Sequence, residues 1–428
     1  MTRNRFFALL IGLGFAWRLI VSARMVVPRE DGVNYLWMAE RFAEGQVTAA
    51  LSEVFSPLLA LVIALPVAMG MEPFFAGQLM LALAGAVVVL PIAAISERLA
   101  PGSERSAALL TFVAARLAML GAEVYTEPLF VLIGSYAFLF GLRQRYWWCG
   151  VMSGLAFWVR PEAALIPLVF VGRGRSTWMP VFVAGLMTLV LAAWRGACGH
   201  GFDPVPKLAF IAAHNVAGDT DALGFALRSA WHLLEIPANF LSAYGALGVF
   251  AILGLFYTRP RPAVRLLVLA VAVICLYVPR WRFLVDWMFV VVPLAAVGVR
   301  CLPKPGFWIG VAILHNLFWS MTGGINPNRI AELQVAAYLR QHMEPGQRVA
   351  GDMTRVLYFV GQRPLAPRHF DAEELIAAGR GAEFVVLRKR RATTAPVLDG
   401  LSDHQPVQLP DKLQVLATDR GMLVLQRR

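Results

Sequence analysis

Long apolar runs separated by short polar joints fill the chain as far as residue 323. A helix that crosses a bilayer needs about 20 mostly apolar residues, and by that measure about eleven spans are expected. They fall near 6–27, 75–96, 106–122, 126–142, 146–159, 161–172, 177–195, 238–257, 264–279, 284–300 and 305–321. Only Arg160-Pro161-Glu162 divides the fifth from the sixth. Segment 55–69 is apolar but short, and it opens on Ser56-Pro57, which predicts a re-entrant or interfacial piece. Ahead of it, Val33, Leu36, Ala39, Phe42 and Ala43 recur at helical spacing, with Tyr35 and Trp37 suited to the headgroup level. That pattern predicts an amphipathic helix over 33–44 lying at the membrane surface.

From about Asn326 the pattern changes. Helical periodicity over 329–343 is followed by Pro345-Gly346, a short strand at Arg348–Ala350, a helix over 371–379 and a strand at Glu383–Leu387. Segments 413–418 and 422–426, joined by Asp419-Arg420-Gly421, read as a hairpin. The chain therefore divides into a transmembrane domain, 1–323, with large loops at 28–74 and 196–237, and a soluble α/β domain, 324–428. The second contains no phosphate loop, zinc spacing or nucleophile elbow. Its Arg388-Lys389-Arg390-Arg391 run suits either anionic headgroups or a solvated strand end.

Composition agrees with this division. The chain is 58% hydrophobic and 15% charged, where a soluble domain carries about 25% charged residues; the class is polytopic α-helical membrane protein. A net charge of +12 would suggest nucleic acid in a soluble chain, but here the basic residues occupy short joints and report topology. Arg3/Arg5, Arg98/Arg105, Arg143/Arg145, Arg173/Arg175, Arg259/Arg261/Arg265 and Arg300/Lys304 fall on one side, cytoplasmic by the positive-inside rule. The other side receives Glu30/Asp31, Glu123/Glu127, Arg160/Glu162, loop 196–237, Pro279-Arg280-Trp281-Arg282 and the C-terminal region. Arg3 and Arg5 before an apolar run imitate a signal peptide, yet Arg18 within the run and the spans that follow predict an uncleaved first helix. The four cysteines have no metal-like spacing and predict no disulfide framework.

Candidate chemistry gathers on that second side. Pro28-Arg29-Glu30-Asp31-Gly32-Val33-Asn34-Tyr35 places two carboxylates where the first span ends; either they cap a helix or one is a catalytic base. Glu123 and Glu127 lie one helical turn apart, and Thr126-Glu127-Pro128 also reads as a helix start. Arg160 beside Glu162, and Arg280 with Arg282 around Trp281, offer planar forks matched to phosphate oxygens. Arg18 and Arg116 lie within spans, where ionised groups are costly; for both, snorkelling or pairing between spans is the simpler role. Carboxylates and arginines at one membrane face suit transfer from a lipid-phosphate sugar, the acid deprotonating the acceptor and arginines holding the leaving phosphate.

In their order and sidedness these segments resemble the GT-C superfamily of polytopic glycosyltransferases. That group includes protein O-mannosyltransferases, the lipid A aminoarabinose transferase and many bacterial enzymes dependent on polyprenyl-phosphate sugars. The matching stretches are Glu30-Asp31 with Tyr35, Ser56-Pro57-Leu58-Leu59, Thr126-Glu127-Pro128-Leu129-Phe130, Gly154-Leu-Ala-Phe-Trp-Val-Arg160-Pro161-Glu162-Ala163 and Arg280-Trp281-Arg282-Phe283-Leu284. Gly201-Phe-Asp-Pro204-Val-Pro206-Lys207 is similar to a Gly-x-Pro-Leu-Pro-Asn stretch, with Lys207 in place of the Asn. The resemblance implies Asp31 as catalytic base, with Glu30 the competing choice, and Glu127 as the second acidic residue with Glu123 its neighbour. It implies Arg160, Arg280, Arg282 and Lys207 near the donor phosphate. Some members bind a divalent cation, Mg or Mn, and others need none; Asp31 and Glu127 are the ligands it would use here.

The expectation is thus a multi-pass enzyme of the bacterial inner membrane, N-terminus cytoplasmic and C-terminal domain periplasmic. It would transfer a sugar, with inversion, from a polyprenyl-phosphate donor to a glycan, lipid or protein acceptor. Its partners are membrane lipids and these substrates, with no nucleic acid. A transporter or flippase of a lipid-linked or anionic solute is the alternative, although no internal repeat is present; a non-catalytic scaffold subunit is a third class.

Overall fold

Prolines, glycines and charges decide where the apolar runs become separate helices. The computed structural model describes residues 1–51, 54–203, 222–258, 260–276, 281–322, 327–362, 372–388, 394–410, 413 and 421–427. Helix α1, Arg3–Ala23, is followed by α2, Glu30–Ala43, which buries Val33, Leu36 and Ala39 of the expected stripe but also Asn34, Tyr35 and Met38 from other sides. It is therefore enclosed by the protein and does not lie half-exposed at a surface. The expected short segment forms the helix Leu58–Ala68, packed on α2 and started by a backbone bond from Leu58 N to Trp158 O.

Among the described residues three helices are long and apolar enough to cross a membrane: Arg3–Ala23, Pro73–Leu99 and Arg175–Ala197. Two bent pairs bring that number to five. Several of the eleven expected spans are interrupted, and the interruptions have local causes. The span at 161–172 is a 3-10 turn, Pro161–Ala164, leading into the short helix Leu165–Leu168. Arg160 before Pro161 is extended (φ −152°, ψ 135°), as steric conflict with the proline ring demands. The span at 238–257 breaks at Gly245 (φ +54°), where Ala230–Tyr244 and Ala246–Thr258 meet at 112°. A Cβ there would lie 2.5 Å from the His315 ring, so both conformation and space call for glycine. Segment 284–300 is divided at Asp286-Trp287 into Trp281–Val285 and Met288–Arg300.

The tightest helix crossing is made by Ala246–Thr258 on Met288–Arg300. A Cβ on Gly254 would fall 1.9 Å from Leu294 O, and one on Gly298 1.9 Å from Phe250 O. Small residues let membrane helices approach to backbone contact. At one end of the bundle Arg3, Arg98, Arg143 and Arg145 line a single cavity of about 400 Å³, so joints grouped by charge in the sequence also meet in space.

The C-terminal sheet contains β1 Val349–Gly351, β2 Phe384–Arg388, β3 His404–Pro406 and β4 Met422–Arg427, in the order β1-β2-β4-β3. β1 runs parallel to β2, and β4 is antiparallel to both β2 (Val386 opposite Val424) and β3 (Gln405 opposite Gln426). The expected hairpin partner, 413–418, lies outside the described residues except for Leu413; β3 is a partner that sequence reading did not supply. Helices cover both sheet faces. Val335, Leu339 and Val356 pack with Phe384 and Val386, while Leu375, Val397 and Leu401 pack with Val385 and Leu387. A strand buried on both faces reads as a continuous apolar run, as 384–387 does.

Gly254→Ala or Gly298→Ala is expected to lower the thermal-unfolding midpoint in detergent, overpacking costing about 1–3 kcal/mol. Gly185→Ala, whose added methyl meets open space, is the control that leaves the midpoint in place.

Candidate functional site

The site begins with how α2 is seated. A Cβ on Gly32 would come 2.7 Å from Glu123 O and 3.1 Å from Val124 O, so glycine lets the first turn of α2 press on the 123–125 backbone. Val124 holds φ +59°, an outlier for a β-branched residue. Gly77 makes room for its methyls, which lie 3.1 Å from where a Cβ would be. This turn sends Glu123 and Tyr125 to different neighbours: Glu123 to Arg29 and Arg329, and Tyr125 beneath the Arg282 guanidinium, 4.5 Å from ring centroid to Cζ.

Arg160 lies at the centre, its side chain 3% exposed. Its Nη1 donates to Glu127 Oε1 at 2.8 Å and to Thr126 Oγ1 at 3.4 Å; Nη2 donates to Glu162 Oε1 at 3.0 Å. Asp286 Oδ2 stands 3.1 Å from the same Nη2. The guanidinium also lies over Phe283 and Phe130, at 5.3 and 6.0 Å. Because Pro161 turns the chain immediately after it, Arg160 is delivered into this cluster by a helix end, while Glu127 arrives as the first residue of Glu127–Leu142.

Arg282 forms the outer tier. Its Nη1 donates to Asp31 Oδ2 at 3.0 Å, and its Nε stands 3.2 Å from Glu127 Oε1. With its side chain 17% exposed, against 30% for Asp31 and none for Glu127, Arg282 links a buried carboxylate to one that solvent reaches. Around these two guanidiniums stand four carboxylates: Asp31, Glu127, Glu162 and Asp286. Glu127 Oε2 is buried with no hydrogen-bond partner among the described residues.

Of the sequence candidates, Asp31, Glu127, Arg160 and Arg282 are thus brought together. Glu30 and Glu123 are not in that cluster; both join α2 and its neighbour turn to the C-terminal region. Arg280 and Lys207 lie outside the described residues. Arg18 and Arg116 lie elsewhere, each held by backbone carbonyls. Buried Arg18 donates to Gly14 O, Phe112 O and Thr111 O, with Gly85 leaving space for it. Arg116 sits between Trp281 and Trp319 and donates to Ser242 O. Sequence reading missed Asp286, although a lone acid inside the apolar run 284–300 carries the same signal that drew attention to Arg18. It also missed Tyr125, and quoted Phe283 without giving it a role; both hold the arginines by their faces.

No protein-family model matches the chain, and no curated protein does. Solved structures do match it. ArnT from Cupriavidus metallidurans bound to undecaprenyl phosphate has a TM-score of 0.62 at 13% identity, covering 99% of this chain and 98% of its own. The oligosaccharyltransferase of Archaeoglobus fulgidus in the apo form gives 0.59 at 10% identity, covering 90% of this chain and 69% of its own. The same oligosaccharyltransferase in complex with Zn and sulfate gives 0.52 at 12% identity, covering 88% and 68%. The chain shares the fold of these structures: a polytopic helical membrane body with a small C-terminal sheet.

Arg160→Leu would leave Asp286 buried without its counter-charge and Glu127 with Arg282 alone, and is expected to cost about 3–5 kcal/mol, read as a lowered unfolding midpoint in detergent. Arg160→Lys keeps the charge but not the planar fork, and its loss is expected to be smaller. An Arg160→Leu protein as stable as the parent would contradict the reading of the cluster as a paired unit.

Proposed function

We propose that this chain is an integral-membrane glycosyltransferase that moves a sugar from a polyprenyl-phosphate donor to a glycan, lipid or protein acceptor. The observation that carries the reading is the Asp31–Arg282–Glu127 bridge: a partly exposed carboxylate held 3.0 Å from a guanidinium within a GT-C fold. We assign the reaction to the periplasmic face of a bacterial inner membrane, with residues 324–428 forming a soluble domain there. The basic joints at the other end of the bundle support that orientation.

In this reading the acceptor oxygen attacks the anomeric carbon of the donor. The new C–O bond forms as the bond from that carbon to the phosphate oxygen breaks, and the leaving polyprenyl phosphate takes the electron pair. Asp31 receives the acceptor proton, and direct attack on the face opposite the leaving phosphate makes the displacement a single inverting step. Arg282 offers five N–H donors and engages Asp31 and Glu127 through two of its nitrogens, so it can also meet the charge developing on the phosphate. Arg160, enclosed by three carboxylates, acts as a positioning residue that fixes Glu127 and through it Arg282. Arg280 and Lys207 are further candidates for the phosphate on sequence grounds alone.

The Zn and sulfate complex of the oligosaccharyltransferase raises the question of a divalent cation here. Asp31 and Glu127 each give an oxygen to Arg282, and among the described residues no three His, Cys, Asp or Glu side chains group as metal ligands. The reading routes no step through a metal.

The test is Asp31→Asn, assayed with a panel of labelled polyprenyl-phosphate sugars and a membrane acceptor fraction. Transfer is expected to fall by roughly 10²–10⁴-fold with expression and thermal stability retained; full activity would overturn the assignment. Arg282→Gln is expected to weaken binding of polyprenyl phosphate itself, measured by native mass spectrometry, whereas a variant that binds like the parent would remove Arg282 from the phosphate site.

A further inference from the structure

Glu30 and Asp31 are adjacent and so stand about 100° apart around the axis of α2. They face different partners. Asp31 meets Arg282, while Glu30 pairs with Arg388 Nη2 at the end of β2 and lies 3.9 Å from Arg355 Nη1. Arg355 is itself held by Glu332, Nε to Oε2 at 2.5 Å. A second connection runs through Glu123, whose Oε2 accepts from Arg29 Nε at 3.0 Å and whose Oε1 accepts from Arg329 Nη1 at 2.8 Å. A third joins Tyr358 Oη to Glu40 Oε1 at 3.4 Å, near the other end of α2. Arg329, Glu332, Arg355 and Tyr358 all belong to the C-terminal region, and the first three are buried.

We propose that these contacts make the C-terminal α/β unit the element that sets the orientation of α2, with Glu30 and Glu123 as positioning residues that aim Asp31 at Arg282. The Arg329–Glu123 pair is buried, where desolvation roughly cancels the attraction. The partly exposed Glu30–Arg388 and Arg29–Glu123 pairs add about 0–1 kcal/mol each, so the role of the set is alignment of α2 more than stability. Attachments just before α2, at its first residue and near its end fix its rotation. A turn of about 100° would bring Glu30 to where Asp31 stands. The catalytic meaning of this latch rests on the reading of Asp31 as the base; the contacts themselves do not.

The test uses the full chain in nanodiscs and three variants: Glu30→Arg, Arg388→Glu and the double swap. Hydrogen exchange of the amides at the start of α2 is read beside transfer activity. Each single variant puts like charges together and is expected to speed that exchange by tenfold or more, and to lower kcat more than it alters donor KM. The double swap rebuilds the pair in reverse order but leaves an arginine at position 30 beside Arg355, and is expected to recover part of both. Glu30→Gln, isosteric and uncharged, gives the same direction with a smaller change should a charge-reversed single fail to fold. A double swap that regains protection but not transfer would overturn the assignment of Glu30 as a positioning residue, because a general base cannot be restored by an arginine at its position. Single variants with parental exchange would overturn the latch and leave the Asp31 reading intact. An active Asp31→Asn protein whose α2 still loses protection on Glu30→Arg would overturn the base and leave the latch.

Discussion

Arg160 is the side chain on which the rest of the site depends. Its guanidinium draws carboxylates from three separate stretches: Glu127 and Asp286 into a space closed to solvent, and Glu162 at its partly exposed edge. Without a shared cation those groups would repel one another where no water screens them. The local sequence makes the arrangement possible: Pro161 forces Arg160 out of the helical conformation, and the chain turns so that the fork points inward. Phe130 and Phe283 then cover its faces and restrict where the guanidinium can move.

From that anchor the charges form two tiers. The inner arginine is fully engaged; the outer one, Arg282, touches Glu127 on one side and Asp31 on the other. In the proposed reaction the partly exposed Asp31 is where the proton would be received, and the partly accessible Arg282 is where the anionic leaving group would be met. The seating of α2 completes the arrangement. Gly32 against the Glu123–Val124 backbone and the ion pairs to the C-terminal unit determine which of two neighbouring acids faces Arg282.

The fold class and most of the central cluster were legible in the chain. Asp31, Glu127, Arg160 and Arg282 each carried a short motif, and the loop charges placed all four on one side. Asp286 was equally visible as an acid in an apolar run but was absorbed into an expected span. Arg329 and Arg355 had no such signal, and Arg29 and Arg388 lay in quoted stretches that named no partner, since pairs separated by as many as 358 residues, as Glu30 and Arg388 are, leave no local pattern. Hydropathy counts apolar residues and ignores backbone conformation, so it joined Ala230–Tyr244 and Ala246–Thr258 across Gly245 into one span. The same blindness made a span of 161–172, where prolines permit only a 3-10 turn and a short helix.

The most direct measurement is a cryo-electron microscopy structure of the full chain in a nanodisc with polyprenyl phosphate. The account predicts the phosphate within hydrogen-bonding distance of Arg282, with Arg160 still bound to Glu127 and Asp286 and with Asp31 facing the space beside the phosphate. A phosphate bound away from Arg282, with Asp31 turned toward the C-terminal unit in place of Glu30, would contradict it.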